Sequence, residues 1–329
     1  MSTEGGTKAV VAALFANLGI AIAKFVAWII TGSSSMLSEA IHSMADSGNQ
    51  VLLLIGGKRS KVGASDVHQF GYGRRRYLYG FVVAIVLFIV GGLFALYEGI
   101  HKIQHPEALK DPQVAIIVLL VAIVLEGYSF RTAIKEANKS RGNKSMKRFV
   151  RDARQPELPV ILLEDFGALI GLVFALACIC MSIVTGNGIW DGIGSTMIGL
   201  LLLVIAVFLG FEMASMIVGE SAVPEEQEQI RAALDSAPEI ERIIHLRTLH
   251  VGPDDLLVAA KIAVAGDDTA TEIAHAIDAA ERRVRAVVPS ATYIYLEPDL
   301  DRYRPGAESA AEPAPDSVSG ETPTSVKDS

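Results

Sequence analysis

Three side chains able to bind a cation lie close together in the stretch from Ser33 to Ser60, SSSMLSEAIHSMADSGNQVLLLIGGKRS. Glu39, His42 and Asp46 are three and four residues apart, so on a helix they share one face. The second half of the stretch is apolar enough to enter a membrane, where a carboxylate costs roughly 3 kcal/mol unless it is compensated. A neutral imidazole beside carboxylates suits zinc or a similar divalent cation. The alternative is a set of buried polar residues hydrogen-bonded to neighbouring helices.

A second group of acidic residues lies in a later apolar run, PVILLEDFGALIGL, which contains Glu164 and Asp165. Adjacent residues point about 100° apart on a helix, so both cannot face one ion equally. We expect one carboxylate to meet the face that carries His42. The other should find a partner elsewhere or supplement the site.

Six apolar segments are long enough to position these side chains inside a membrane. The chain has 329 residues, of which 51% are hydrophobic, and its mean hydropathy is +0.39. About 20 helical residues cross a hydrocarbon layer of roughly 30 Å. The composition therefore predicts an all-α, six-helix transmembrane domain with a soluble appendage. The predicted segments are 9–31, 36–56, 78–103, 113–135, 159–185 and 189–213.

Other polar residues in these segments need separate explanations. Lys24 can pair with a carboxylate of a neighbouring helix or extend to the interface, and we favour pairing. Glu98 and Glu126 lie near predicted segment ends, so we expect them at the membrane interface. Cys178 and Cys180 are not spaced as a metal-binding or redox pair and are predicted to be small buried residues.

The distribution of basic residues predicts the orientation. The connections after the first, third and fifth segments hold few Lys and Arg, whereas those after the second and fourth hold many. The positive-inside rule then places both termini and the soluble part in the cytoplasm. The basic residues of the two rich connections include Lys58, Arg59, Arg74, Arg75, Arg76, Lys147, Arg148 and Arg151.

The part after Gly219 has the pattern of a small α+β domain. PEEQEQIRAAL predicts a helix, IIHLRTLHV and LLVAAKIAV predict strands, and ATYIYLEP predicts a third strand. Between them, TATEIAHAIDAAERRVRAVV predicts a helix that begins with a capping box from Thr269 to Glu272. Its predicted apolar stripe consists of Ile273, Ile277, Ala280, Val284 and Val287.

We therefore predict three regions: a transmembrane domain over 1–219, a small α+β domain over 220–300 and a disordered tail over 301–329. The formal net charge is −8 and the soluble part is strongly acidic, so nucleic acid is not an expected partner. MSTEGGTK leads directly into the first segment, so no signal peptide is expected. No nucleotide-binding loop, dinucleotide fingerprint or nucleophile elbow is present, so nucleotide-driven pumping is not expected and no bound cofactor is predicted. A membrane metalloenzyme is an alternative, but it would need an open metal position and a separate general base; no such second constellation stands out in the sequence, so we do not expect an enzyme.

Three stretches resemble the cation diffusion facilitator family of divalent-metal transporters. SMLSEAIHSMADSGNQ is similar to its second-helix pattern, with His42 and Asp46 at the H-x-x-x-D positions. SDVHQFGYGRRR resembles the loop D-x-x-H-x-F-G-x-G followed by a basic residue, here Arg74. ILLEDFGALIGL is like the fifth-helix H-x-x-x-D, with Asp165 at the Asp position and Ile161 where many zinc-transporting members have His.

The resemblance implies a metal site and a homodimer. It implies His42, Asp46 and Asp165 as ligands and leaves the fourth ligand open; the candidates are Glu164, Glu39, Asn49 or a water. It implies a ferredoxin-like, metallochaperone-like cytoplasmic domain that pairs two protomers. It also suggests that Arg74 pairs across protomers with an acid such as Asp191 or Glu220.

Departures from the family pattern weaken two further metal sites. In the second loop, Tyr72 stands where some bacterial zinc exporters have His, although Asp66 and His68 remain. In the soluble domain, positions that bind zinc in some members are Ile244, Ala260 and Tyr295 here. Only His275 and Glu297 survive there. We expect the domain to fold and pair without a zinc cluster.

The expected function is zinc efflux by proton antiport, in a multi-pass protein of the bacterial plasma membrane. Without a histidine in the fifth helix, the ligand set has a larger share of hard oxygen donors, so export of manganese, iron or cobalt is the alternative. A non-transporting membrane metal sensor or scaffold is a further alternative, disfavoured because such a protein has no need for charges in lipid. The expected partners are the divalent metal ion, protons and the lipid bilayer.

Overall fold

The computed structural model describes residues 3–141, 145–146, 148–149, 157–238, 240–265 and 269–300. Its first part is a bundle of long helices, α1 to α6, and its second part is a small α+β domain. The predicted tail over 301–329 lies outside the described residues. The bundle helices are α1 Thr3–Thr31, α2 Ser34–Ser60, α3 Arg75–Gln104, α4 Pro112–Ser140, α5 Glu157–Thr185 and α6 Ile189–Val218.

The bundle agrees with the predicted membrane domain. Within the described residues, α3, α4, α5 and α6 are long and apolar enough to span a membrane. The part of α1 from Asn17 to Thr31 is a shorter apolar helix. α2 has the required length, but its first half carries the polar face described above, which lowers its hydropathy. The helical membrane region predicted from the sequence is confirmed.

α3 and α6 pack closely through glycines. A Cβ atom at Gly99 would lie 2.6 Å from the backbone nitrogen of Thr196 and 2.8 Å from the carbonyl oxygen of Gly192. A Cβ atom at Gly199 would lie 2.9 Å from the carbonyl oxygen of Gly92. Backbones this close tolerate only hydrogen at these positions, as in other membrane helix pairs. Gly92 itself belongs to a π-helical segment, Leu87–Leu93, within α3.

The C-terminal domain has the predicted element order. It contains α7 Pro224–Asp235, β1 Arg242–His250, β2 Leu256–Val264, α8 Ala270–Val287 and β3 Tyr293–Leu300. The sheet order is β1-β2-β3, with β1 and β2 antiparallel and β2 and β3 parallel. The α+β class predicted from the sequence is confirmed.

The core of this domain follows the predicted alternation. On β2, Leu256, Val258, Ala260, Ile262 and Val264 are all buried, as a strand with one face on the core requires. The capping box of Thr269 and Glu272 is also present at the start of α8.

Two details of the predicted burial are wrong. Val287, expected in the apolar stripe of α8, is 46% exposed because the helix ends there, and the buried position is taken by the following Val288. Cys178 is buried as predicted, but Cys180 is exposed on the outside of the bundle. Two residues apart on a helix, the two side chains point about 200° apart.

The loop between α2 and α3 packs against the C-terminal domain. A Cβ atom at Gly73 would lie 2.8 Å from Cα of Gly252, in the turn between β1 and β2. The ring of Phe70 meets that of Tyr293 edge to face, with centroids 5.1 Å apart. Loop and turn are therefore in backbone contact.

Candidate metal centre

The start of α2 is fixed by a carboxylate from α6. Asp191 is fully buried, and its Oδ1 accepts hydrogen bonds from Ser33 Oγ at 2.6 Å and Ser35 N at 3.2 Å. Its Oδ2 accepts one from Ser34 N at 2.6 Å. The first backbone N–H groups of a helix have no partner within it, and their positive end attracts a carboxylate. Asp191 therefore fixes where α2 begins relative to α6.

His42 and Asp46 lie one turn apart on the buried face of α2. His42 is 1% exposed, and its Nδ1 lies 3.5 Å from Asp46 Oδ1, which is too long for a hydrogen bond. Neither ring nitrogen of His42 nor Oδ1 of Asp46 has a hydrogen-bond partner among the described residues. Buried polar atoms are rarely left without a partner. Free nitrogen and oxygen atoms facing one another in this way fit a divalent cation.

Glu39 is paired with a lysine of α1. Lys24 Nζ lies 2.9 Å from Glu39 Oε2 and donates a second hydrogen bond of 2.7 Å to Ser43 Oγ. Both charged side chains are 0% exposed. The expected pairing of Lys24 with a carboxylate is therefore observed, and Glu39 is the carboxylate.

The two acids of α5 face different helices. Glu164 Oε1 accepts a hydrogen bond of 2.8 Å from Asn49 Nδ2, so it contacts α2 directly. Asp165 Oδ2 accepts one of 2.9 Å from Ser129 Oγ on α4. Asp165 nevertheless remains an electrostatic neighbour of Asp46. As expected for adjacent residues on a helix, the two side chains point in different directions. Both carboxylates lie at the edge of one polar cluster.

Glu126 of α4 belongs to the same cluster, which we did not predict. It is buried and interacts electrostatically with His42, Asp46 and Asp165. Glu126 does not lie near the end of its helix as expected, because α4 continues to Ser140, which places Glu126 near the middle. The length of the polar helical extension after 135 was the signal that could have identified it.

Glu98 is the other acid expected at the interface. It is partly buried near the start of α2, where its Oε1 accepts a hydrogen bond of 2.9 Å from Ser34 Oγ. This contact ties α3 to the N-terminus of α2, in the same region that Asp191 caps.

The cluster combines one imidazole with several carboxylates inside a membrane bundle. Within the described part of the chain, no three His, Cys, Asp or Glu side chains already surround one point closely enough to hold an ion. The structure brings the predicted residues of α2 and α5 to one region without closing them around a common centre. Completing a coordination shell therefore requires these side chains to come closer together.

Residues 10–218 match the family model described as the cation efflux transmembrane domain. Residues 222–299 match the cytoplasmic domain of cation efflux proteins. The chain belongs to the cation diffusion facilitator family. The resemblance drawn from the three sequence stretches is confirmed, and the family is one of transporters rather than enzymes.

Relatives of this cation diffusion facilitator come from animals, plants and bacteria. The chain is 33% identical over 251 residues to the mitochondrial proton-coupled zinc antiporter SLC30A9 of Mus musculus, covering 76% of this chain and 44% of that protein. It is 27% identical over 248 residues to the cation-efflux pump FieF of Shigella flexneri serotype 5b (strain 8401), covering 74% of this chain and 76% of that pump. This chain therefore spans less than half the length of the mitochondrial relatives it matches.

A solved structure of MamM-CTD is similar to part of this cation diffusion facilitator. The match covers 23% of this chain and 95% of the MamM chain, at 21% identity and with a TM-score of 0.22.

The other metal-binding positions of the resemblance have ordinary structural surroundings. Asp66 and His68 are exposed, and the ring of His68 stacks on Tyr72 with centroids 4.4 Å apart. In the C-terminal domain His275 is exposed on α8, and Glu297 forms an ion pair with Lys261 at 3.3 Å.

The three replaced positions of that domain lie on its sheet. Ile244 is partly buried on β1, Ala260 is buried on β2 and Tyr295 is 57% exposed on β3. None of these side chains carries a nitrogen or carboxylate oxygen for a metal.

Lys261 has two acidic neighbours on β3. Hydrogen bonds that Lys261 donates to Asp299 and then Glu297 raise the pKa of the Lys261 ammonium. Glu297 therefore already has a cationic partner within its own sheet.

Within one protomer, Arg74 lies far from Asp191, one of the acids suggested as its partner across protomers. Asp191 caps the start of α2, whereas Arg74 follows its end. A helix of 27 residues separates these ends by about 40 Å. In this chain Arg74 Nη2 instead donates a long hydrogen bond of 3.4 Å to the carbonyl oxygen of His250.

Proposed function

We propose that this chain exports divalent metal ions, with zinc as the principal substrate, through a site between α2 and α5. The observation that carries the proposal is the unpartnered His42 imidazole facing Asp46 in the interior of the bundle. A fixed structural histidine would have a hydrogen-bond partner for at least one ring nitrogen.

The proposed ligands are His42, Asp46 and Asp165. Asn49 and Glu164 are candidates for the fourth position, since Asn49 Oδ1 has no partner among the described residues and Asn49 Nδ2 already contacts Glu164. One nitrogen and several oxygens form a site of intermediate hardness, which accepts zinc and also manganese, iron or cobalt. Zinc is favoured by the imidazole, and the names of the mitochondrial relatives support the same choice.

Proton antiport follows from the chemistry of these ligands. The imidazole must be neutral and the carboxylates ionised before they bind a cation, so binding releases protons. Protons entering from the opposite side compete for the same groups and displace the metal. An inward proton gradient therefore drives outward metal movement as the bundle alternates between two openings.

The proposed setting is a bacterial plasma membrane with both termini in the cytoplasm. The basic connections support this orientation. The C-terminal domain would then lie on the side from which metal is taken, and it is the proposed surface for pairing two protomers.

The experiment is transport by the full chain in proteoliposomes with a metal-sensitive dye and a pH-sensitive dye inside. We expect zinc and protons to move in opposite directions under an imposed pH gradient. Asp46→Ala should abolish both signals, and His42→Ala should weaken them. Glu136→Gln, which alters an exposed acid paired with Lys139, is the matched control. Metal binding without any transport by the intact chain would support a sensor or scaffold and reject the proposal.

A further inference from the structure

The ion pair between Lys24 and Glu39 lies inside the bundle, one helical turn from His42. Lys24 comes from α1 and Glu39 from α2, and neither side chain is exposed. The second oxygen of this carboxylate, Glu39 Oε1, has no hydrogen-bond partner among the described residues. An ordinary buried ion pair satisfies both carboxylate oxygens. This one leaves an oxygen free.

The free oxygen points toward α5. A Cβ atom at Gly171 would lie 2.6 Å from Glu39 Oε1, so only glycine leaves room for it. Gly171 is seven residues after Glu164 and therefore on the same face of α5. Glu39 thus reaches the α2–α5 interface in which the proposed metal site lies.

The charge of Lys24 also reaches the proposed ligands. Its ammonium group is an electrostatic neighbour of both His42 and Asp46, and Glu39 interacts with the same two residues. Because the pair is buried, solvent and salt screen these interactions weakly. Removing Lys24 would therefore leave Glu39 as one more anionic oxygen ligand beside the site.

We propose that Lys24 is a positioning residue that keeps Glu39 from coordinating the transported cation and offsets its charge. This inference rests on the function proposed above. With Glu39 held by Lys24, the site keeps one nitrogen and a limited number of oxygens, which favours zinc. With Glu39 released, the site gains oxygen ligands, which favours manganese and slows release of the metal.

The test compares four variants of the full chain in proteoliposomes: Lys24→Met, Lys24→Arg, Glu39→Gln and the double variant Lys24→Met with Glu39→Gln. Initial rates are measured for zinc and for manganese over a range of concentrations. We expect Lys24→Met to lower KM for manganese relative to zinc by at least about tenfold, and to lower kcat for both metals. Lys24→Arg, Glu39→Gln and the double variant should keep the wild-type ratio of the two KM values.

A second buried lysine provides the matched control. Lys102 on α3 donates a hydrogen bond of 3.1 Å to the carbonyl oxygen of Gly32. Lys102→Met should lower thermal stability without changing the ratio of KM values. A purely structural role for Lys24 would make the two Met variants behave alike.

Two outcomes overturn the inference while leaving the proposed function intact. One is an unchanged KM ratio in Lys24→Met when wild type transports both metals. The other is loss of transport in Glu39→Gln, which would show that Glu39 is a ligand. This second measurement decides the question even if Lys24→Met does not fold. If wild type transports neither metal, the proposed function itself has failed.

Discussion

At the residue scale, Glu164 and Asp165 are adjacent in sequence but have different surroundings. Asn49 links Glu164 to α2, whereas Ser129 links Asp165 to α4. Each of these bonds uses one oxygen of its carboxylate. Hydrogen bonds to a charged group contribute about 1.5–3 kcal/mol each, so moving either carboxylate away from its bond and onto a metal beside His42 must offset a loss of this size.

We predict that Asp165→Ala abolishes transport, because Asp165 occupies the motif position and supplies a proposed ligand. Glu164→Ala should only reduce the rate or shift the metal preference. Initial rates for zinc and manganese in proteoliposomes measure both effects, and His42→Ala should weaken zinc more than manganese. Glu98→Ala is a control, because Glu98 bonds to Ser34 at the start of α2. Wild-type rates in Asp165→Ala together with an inactive Glu164→Ala would show that Glu164, and not Asp165, is the ligand.

The sequence was sufficient to predict the face of α2 but not all of its partners. Spacings of three and four determine which residues share a helical face, so Glu39, His42 and Asp46 could be grouped without a structure. The contribution of Glu126 depends on where α4 ends, and helix ends are poorly determined by hydropathy alone. The pairing of Lys24 with Glu39 depends on the packing of α1 against α2, which local sequence does not specify.

At the element scale, α3 and α6 form the most closely packed helix pair described above. Gly99 and Gly199 are the positions at which their backbones approach. In the sequence, the more evident glycine pair is Gly167 and Gly171 of α5, whose small-xxx-small spacing is typical of close helix packing. Those two glycines instead accommodate side chains: Ile205 lies against Gly167 and Glu39 against Gly171.

We predict that Gly99→Ala destabilises the bundle by about 1–3 kcal/mol, because the added methyl group would overlap the backbone of α6. The melting temperature in detergent should fall by several degrees, at about 2–4 °C for each kcal/mol. Gly127→Ala on α4 is the matched control, since a Cβ atom there meets nothing within 4 Å. Equal melting temperatures for the two variants would contradict the close packing.

At the scale of the whole molecule, the described part of the C-terminal domain has an apolar core, and three positions on its sheet that bind zinc in some family members are Ile244, Ala260 and Tyr295 here. Ala260 is buried within that core, while Tyr295 on β3 is exposed. The element order and the alternation on β2 were both predicted correctly, because a small domain with one buried sheet face has a strong period-two pattern. Its means of pairing two protomers cannot be deduced from such a pattern.

We predict that residues 220–300, expressed alone, form a dimer that persists in a metal chelator. The physical reason is that apolar burial, and not metal coordination, accounts for the core of the domain. Sedimentation velocity with and without chelator measures the outcome, and wild-type full chain in detergent serves as the reference. Dissociation to monomers on chelation would show that a metal holds the dimer together.

The cap that Asp191 places on α2 has a mechanical consequence. One end of α2 is tied to α6 by this carboxylate, and its other end packs against the start of α3, where Gly56 lies against Tyr79. A rod clamped at both ends cannot slide along its own axis, although it can roll. In the alternating mechanism proposed above, exchange between the two openings would then come from rolling of α2 or from displacement of α1, α4 and α5 around it.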